Sequence, residues 1–226
     1  MSSFLDTMLE RAKADKQTIV LPEGDDPRTL EAAETILAQG VANLIILGNV
    51  AAIKESGRAL DGATLIDPQD SDLHDEFANT LYELRKHKGM TLDQAAEKVR
   101  DVLFFGVLMV KTGRADGMVS GACHSTGDVL RPSLQILKTA PGVKLVSSFF
   151  IMVVPNCEYG QNGTFLFSDC GLEIQPTAEK LAHIAVNSAQ SWKTLIGTEP
   201  VVAMLSHSTY GSAKNDDANK VVEAAA

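Results

Sequence analysis

TIVLPEGDDPRTLEAAETILAQGVANLIILG, residues 18–48, sets the fold class. TIVLP (18–22) is a short apolar run and reads as a buried strand. Asp26 stands where a helix N-cap belongs, and Pro27 takes the first helical position, where a missing N–H is no loss. They open RTLEAAETILAQG, which Gly40 closes. ANLIILG (42–48) is a second apolar strand. Strand, helix and strand in this order make one unit of a parallel sheet.

The alternation continues outward from that unit. NVAAIKESGRAL reads as a short helix, TLIDP (64–68) as a third strand, and residues 72–88 and 92–112 as a helical pair joined at Gly89. ADGMVSGACHSTGDVLRP (115–132) follows, read as a strand over 117–120, a loop of small residues over 121–127 and a helix start carrying Arg131. Pro132 cannot sit deep in a helix without losing a hydrogen bond, so a break is expected there, with a new helix beginning at the proline. After Pro141-Gly142 the texture changes. VKLVSSFFIMVV and TFLFSD read as strands around the polar loop PNCEYGQNG, TAEKLAHIAVNSAQSWKTLIG as an amphipathic helix, and PVVAMLS (200–206) as another buried strand. Apolar strands alternating with helices imply parallel sheets covered on both faces. The expectation is an α/β protein of two parallel-sheet domains, 1–141 and 142–226. Loops at the carboxyl ends of the strands, bearing Asp25, Ser125 and Ser208, are expected to share a cleft.

Composition narrows the function. The chain has 226 residues, 45% hydrophobic and 22% charged, with a net charge of −9. The charge argues against nucleic acid or an anionic membrane as the main partner. No apolar run is long enough to span a bilayer, and the polar start MSSFLDTMLERAKADK lacks a signal core. A cytoplasmic protein with reduced thiols is expected. The three cysteines, Cys123, Cys157 and Cys170, show no C-x-x-C spacing, and the five histidines show no metal spacing, so no metal site is expected. The phosphate and dinucleotide fingerprints G-x-x-x-x-G-K-[ST] and G-x-G-x-x-G are missing, as are H-E-x-x-H and G-x-S-x-G.

What remains is the 115–132 stretch. A loop of small residues and hydroxyls entering a helix leaves backbone N–H groups free to face an anion, and Arg131 adds a planar fork of donors. Against a net negative field, this reads as an oxyanion site, with phosphate the favoured ligand. Ser125 and Thr126 read equally well as helix caps, Asp128 completing a capping box, or as hydroxyl donors to phosphate. Arg28, one residue inside its helix, falls in the crevice or in an exposed ion pair. His124 reads as a satisfied loop histidine, and Cys123 and Cys170 as small buried hydrophobes. Arg85, Lys86, His87 and Lys88 form a basic run at a helix end, where the dipole favours cations. NDDANKVVEAAA starts like a helix and stops without a cap, which reads as a chain cut inside a helix.

GMVSGACHSTGDVLRPSLQILKTAPG, FSDCGLEIQPTAEKLAHIA and AMLSHSTYGS, with LPEGDDPRTLEAA and ELRKHKGMT, resemble the phosphate acetyltransferase and phosphate butyryltransferase family. The match covers essentially the whole chain in order and favours the acetyl enzymes. The resemblance implies a two-domain architecture like that of isocitrate and isopropylmalate dehydrogenases, homodimeric, with no permanently bound cofactor. It implies exchange of an acetyl group between coenzyme A and inorganic phosphate in a ternary complex, without a covalent acyl-enzyme. Acetyl-CoA, coenzyme A, phosphate and acetyl phosphate would be its small-molecule partners.

By the same resemblance, Arg131 and Arg85 are the catalytic candidates, binding the phosphoryl group or coenzyme A, and Cys157 lies near the site without being a nucleophile. With Cys157, the residues Ser125, Thr126 and Arg28 of the loop and helix reading above complete the substrate-binding candidates. Family members run on well past position 226 and carry there an N-D-L-S-R-G-type motif and an aspartate proposed as base. The 226-residue chain is therefore expected to be inactive, with a poorly folded second domain, and acetyl-CoA formation by it would overturn that expectation. Three other readings stay open. One is a butyryl enzyme. Another is a metal- or NAD-dependent dehydrogenase of similar architecture, for which no carboxylate cluster or nicotinamide fingerprint is seen. The last is a non-catalytic binding fragment.

Overall fold

A computed structural model describes residues 4–209 and 211–226. In chain order the elements are α1 (Phe4–Ala14), β1 (Thr18–Leu21), α2 (Pro27–Gln39), β2 (Asn43–Leu47), α3 (Val50–Glu55), β3 (Thr64–Ile66), α4 (His74–Arg85), α5 (Leu92–Lys98), α6 (Val102–Lys111), β4 (Gly117–Met118) and α7 (Thr126–Ile136). They are followed by β5 (Phe149–Val153), β6 (Thr164–Ser168), α8 (Ala178–Ile196) and α9 (Asp216–Ala225). The chain divides into two compact units, one of Leu9–Lys138 and one of Thr139–Ala226 with the chain up to Met8. No described helix is long and apolar enough to cross a membrane.

In the Leu9–Lys138 unit four parallel strands lie in the order β3-β2-β1-β4. Successive residues of a strand face opposite sides, and both sides here are covered. Val20, Ile45 and Leu47 point into a core with Phe77, Leu81, Phe105 and Leu108. Leu21, Leu44 and Ile46 point the other way, onto Leu30, Ala33 and Ile53 of α2 and α3. α6 is apolar on every side, with all seven residues from Leu103 to Met109 buried, so it is the central helix of its layer. Gly106 lets it ride close on the sheet. A Cβ there would come 2.7 Å from Met118 Sδ and 3.2 Å from Val20 Cγ1.

The helical reading of 92–112 becomes two helices. Asp101 takes the amides of Leu103 and Phe104, capping α6 and ending the previous turn. The break expected at Pro132 does not occur, since α7 runs through it. Pro132 and Ile136 are its two buried residues, and packing against α6 offsets the bond lost at the proline.

The second unit departs further from expectation. Its described strands, β5 and β6, are antiparallel, so the parallel sheet expected there is not formed. Residues 200–206 form no strand. Val201 is fully exposed and Leu205 is 83% exposed, and no described strand lies beside them to complete a hydrogen-bond ladder. Ser208 therefore follows no strand. The amphipathic reading of 177–197 holds: Thr177 caps α8 and Gly197 closes it at φ 82°.

Asp169 organises the turn after β6. It accepts from the Ser148 amide and hydroxyl at 2.7 and 2.8 Å and from the amides of Gly171 and Leu172 at 2.8 Å each. Burial pushes this carboxyl up, but the amides of Leu172, Gly171 and Ser148 outweigh that and hold it well below the usual range.

Candidate functional site

The strand order turns back between β1 and β4. The chain steps from β1 through β2 to β3, then returns to the far side of β1. In open parallel sheets the loops leaving such a point part to opposite faces and open a crevice at the strands' carboxyl ends. Here those loops are residues 22–26 and 119–125.

Glu23, directly after β1, has a side chain only 2% exposed. A carboxylate that deep needs partners to stay charged. The β4–α7 loop wraps around it. The amides of Gly121 and Ala122 donate to Oε2 at 2.9 and 2.8 Å, and those of Cys123 and His124 to Oε1 at 3.0 Å each. His124 Nδ1 lies 2.8 Å from the same Oε1. Burial raises the carboxyl's pKa, but the amides of Cys123 and Ala122, with His124 and Gly121, win and hold it well below the carboxylate range. The amides expected to be open to an outside anion at 121–124 are thus filled by the chain's own carboxylate.

This has a consequence for pH. A carboxyl depressed in the folded state contributes its full stability above its unfolded value, near 4.5, and loses it as pH falls below that. Both units carry such a group, Glu23 in one and Asp169 in the other. Urea unfolding midpoints should hold steady down to about pH 5 and fall steeply below about pH 4. A flat midpoint down to pH 3 would show that these carboxylates are not held ionised by the fold.

The loop is also held from its carbonyl side. Asp26 caps α2 by accepting from the Arg28 amide at 2.8 Å, and the Arg28 guanidinium folds back onto it, Nε to Oδ1 at 3.0 Å and Nη2 to Oδ2 at 2.7 Å. These bonds bring Asp26 down to about 2 and push Arg28 up. Nη2 of Arg28 also donates to the Ala122 carbonyl. Arg28 therefore joins the two sides of the crevice.

One turn on, Ser125 caps α7. Its Oγ accepts from the Asp128 amide at 3.3 Å and donates to Asp128 Oδ2 at 2.6 Å. The amides of Thr126 and Gly127, in the first turn of α7, have no acceptor among the described residues. Arg131 lies on the next turn, 63% exposed, with Nη2 3.9 Å from Asp128 Oδ1. The open amides where the loop enters α7 are thus those of Ser125, Thr126 and Gly127.

Cys123 is exposed rather than buried, and Cys170 is half-buried, its Sγ donating to the Phe167 carbonyl. Both depart from the buried-hydrophobe reading. Partial desolvation and the neighbouring Glu23 push the Cys123 thiol up, which disfavours a nucleophilic thiolate. Glu23, Cys123 and His124 place ligand atoms within 4.8 Å of one another. Glu23's two oxygens are already taken by four amides, so this grouping does not fit a metal ion.

A family model described as "Phosphate acetyl/butaryl transferase" matches residues 3–226. The chain belongs to the phosphate acetyl/butyryl transferase family. It is 54% identical over 224 residues to the phosphate acetyltransferase of Acetivibrio thermocellus, covering 98% of this chain and 68% of that protein. The corresponding enzyme of Thermoanaerobacterium thermosaccharolyticum is 55% identical over 221 residues, with 97% and 67% covered. A solved phosphotransacetylase from Streptococcus pyogenes superposes with a TM-score of 0.89 at 41% identity, covering 99% of this chain and 68% of the other. The chain thus spans about two thirds of the length of these relatives. Phosphate acetyl/butyryl transferases are acyltransferases, and these relatives are acetyl enzymes, so the butyryl and dehydrogenase readings are not favoured.

Of the candidate residues, Arg28 stands in the first turn of α2, reaching the Ala122 carbonyl, and Ser125, Thr126 and Arg131 stand at and after the cap of α7. Arg85 ends α4, which touches α7; its Nε is buried without a partner among the described residues. Cys157 lies in the other unit, half-buried in the β5–β6 loop. The residue that sequence reasoning passed over is Glu23. Its signal was present: an acid inside the otherwise apolar and small VLPEG run at a strand end, where it cannot reach solvent.

Proposed function

We propose that the chain carries the phosphoryl-binding part of an enzyme that moves an acetyl group between coenzyme A and inorganic phosphate. The observation that carries this reading is the start of α7 at the sheet's turning point, with its open amides and Arg131 one turn on. In the reaction, the coenzyme A thiolate attacks the carbonyl carbon of acetyl phosphate. The C–S bond forms, the bond from the carbonyl carbon to the bridging oxygen breaks, and phosphate leaves with that oxygen and the electron pair. The first-turn amides of α7 with Arg131 stabilise that growing negative charge, aided by Ser125 and Thr126. Arg131 and Arg85 are the catalytic residues proposed, with Arg28 and Cys157 on the coenzyme A or phosphate side. Alignment of two anionic partners and charge neutralisation supply the catalysis, without an acyl-enzyme. We further propose a cytoplasmic homodimer using no bound cofactor, as the family resemblance implies.

Replacing Arg131 by Ala tests it. A charge-assisted bond to phosphate is worth roughly 1.5–3 kcal/mol, so phosphate affinity should fall about 10- to 150-fold with the fold unchanged. Isothermal titration with inorganic phosphate reads the first, and circular dichroism the second. Unchanged binding sinks the assignment. Thermal-shift screening against coenzyme A, phosphate and NAD separates the classes, since stabilisation by NAD alone would support the dehydrogenase instead.

A further inference from the structure

We infer that Glu23 is a positioning residue for the phosphoryl site: a built-in anion around which the β4–α7 loop is moulded through His124, so that the open amides of Ser125, Thr126 and Gly127 are held in place at the start of α7. The inference rests on the proposed phosphate site and adds a residue to it. Glu23 touches no substrate position itself.

Three observations carry it. Four consecutive amides, Gly121 to His124, converge on one carboxylate at 2.8–3.0 Å. Such a run of inward-pointing N–H groups is the arrangement that binds phosphate in other proteins. A free oxyanion placed there would meet the negative charge of Glu23, so the loop's anion capacity is satisfied before the substrate arrives. Second, the carbonyl side of the same loop is pinned by Arg28 at Ala122. The loop is thus clamped from both sides, amides on a carboxylate and a carbonyl on a guanidinium. Third, the chain passes from His124 straight into the Ser125 cap, so the orientation fixed at 121–124 sets where the axis of α7 points. Moving the cap by even 1 Å would move Thr126, Gly127 and Arg131 off a shared ligand, and misplacement on that scale is costly.

The alternative role for Glu23 is packing alone, and chemical rescue separates the two. In E23A the carboxylate is missing while its cavity and the four amides remain. Amide exchange at 121–124 should quicken, and the dissociation constant for inorganic phosphate should rise about tenfold or more. Sodium formate, a free carboxylate small enough for the vacancy, should restore both, where sodium chloride at equal ionic strength does not. E23Q keeps the volume but turns an N–H₂ toward donors. It should lose protection at part of the loop and resist formate, since its site is filled.

Unchanged exchange and phosphate affinity in both variants would overturn the inference, as would formate acting no better than chloride in E23A. Should E23A fail to fold, E23Q decides by the same two measurements. If the wild-type chain binds no phosphate, the proposed site is what fails. Loss of amide protection on removing Glu23, and its return with formate, then still stands as the test of the loop.

Discussion

Phe105→Ala should lower the stability of the Leu9–Lys138 unit by about 4 kcal/mol. Phe105 is fully buried at the middle of α6, with its ring edge-on to Phe77 at a centroid distance of 4.8 Å. Truncation removes the ring's transfer free energy and leaves a cavity between α4, α6 and the sheet. The edge-to-face pair is lost as well, worth roughly 0.5–1.5 kcal/mol beyond its area. Little can collapse into the gap, because the neighbours Val20, Leu81 and Leu108 are themselves fixed on the strand and helices around it. Urea unfolding followed by far-ultraviolet circular dichroism measures the loss. A change under 1 kcal/mol would mean that α6 is not the central helix of this core.

Gly24→Val should be nearly as severe, by a different route. Gly24 donates to the Leu47 carbonyl at 2.9 Å, locking the end of β1 against the end of β2. A Cβ at this position would stand 2.5 Å from that same carbonyl oxygen and 2.9 Å from both Ile46 Cγ2 and Ile53 Cδ1. The oxygen belongs to backbone and cannot swing away, so the strands must part and the hydrogen bond must break. The expected loss is about 3 kcal/mol, at the upper end for overpacking because backbone moves too. Glu23 is the preceding residue, so exchange at the amides of 121–124 should quicken in the same variant. Wild-type stability in Gly24→Val would show that the approach of β1 to β2 is not tight there.

Much of the first unit was legible in the sequence because its signals are local. Asp26-Pro27 at the start of α2 and Gly40 at its end state the helix without help from the rest of the chain, and Gly40 takes φ 64° as such a closing residue should. The α6 cap at Asp101 was equally local and went unread, since an unbroken apolar run obscured the acid before it. Pro132 misled for the opposite reason. Its cost is local, but the packing of Pro132 and Ile136 that offsets it is tertiary. VKLVSSFFIMVV and TFLFSD each hold a strand, though the first only over 149–153, and their antiparallel pairing is not legible, because pairing sense is a property of two segments and neither carries it alone. The site was half legible. The hydroxyls, small residues and Arg131 pointed to an anion, but which amides stay open depended on Glu23, ninety-eight positions before Gly121.

A loop that carries its own counter-charge need not wait for a ligand to acquire its shape. Flexible phosphate loops lose conformational entropy on closing around their ligand, and affinity falls by that amount. Here the ordering of 121–124 belongs to folding, and the acceptor that secures it is covalently attached to β1. At the proposed site, phosphate would then meet donors already aimed, and its departure would leave them in place. For the proposed exchange, with phosphate entering in one direction and leaving in the other, the same preformed seat would serve as receptor and as exit. Neither direction would have to rebuild it between turnovers.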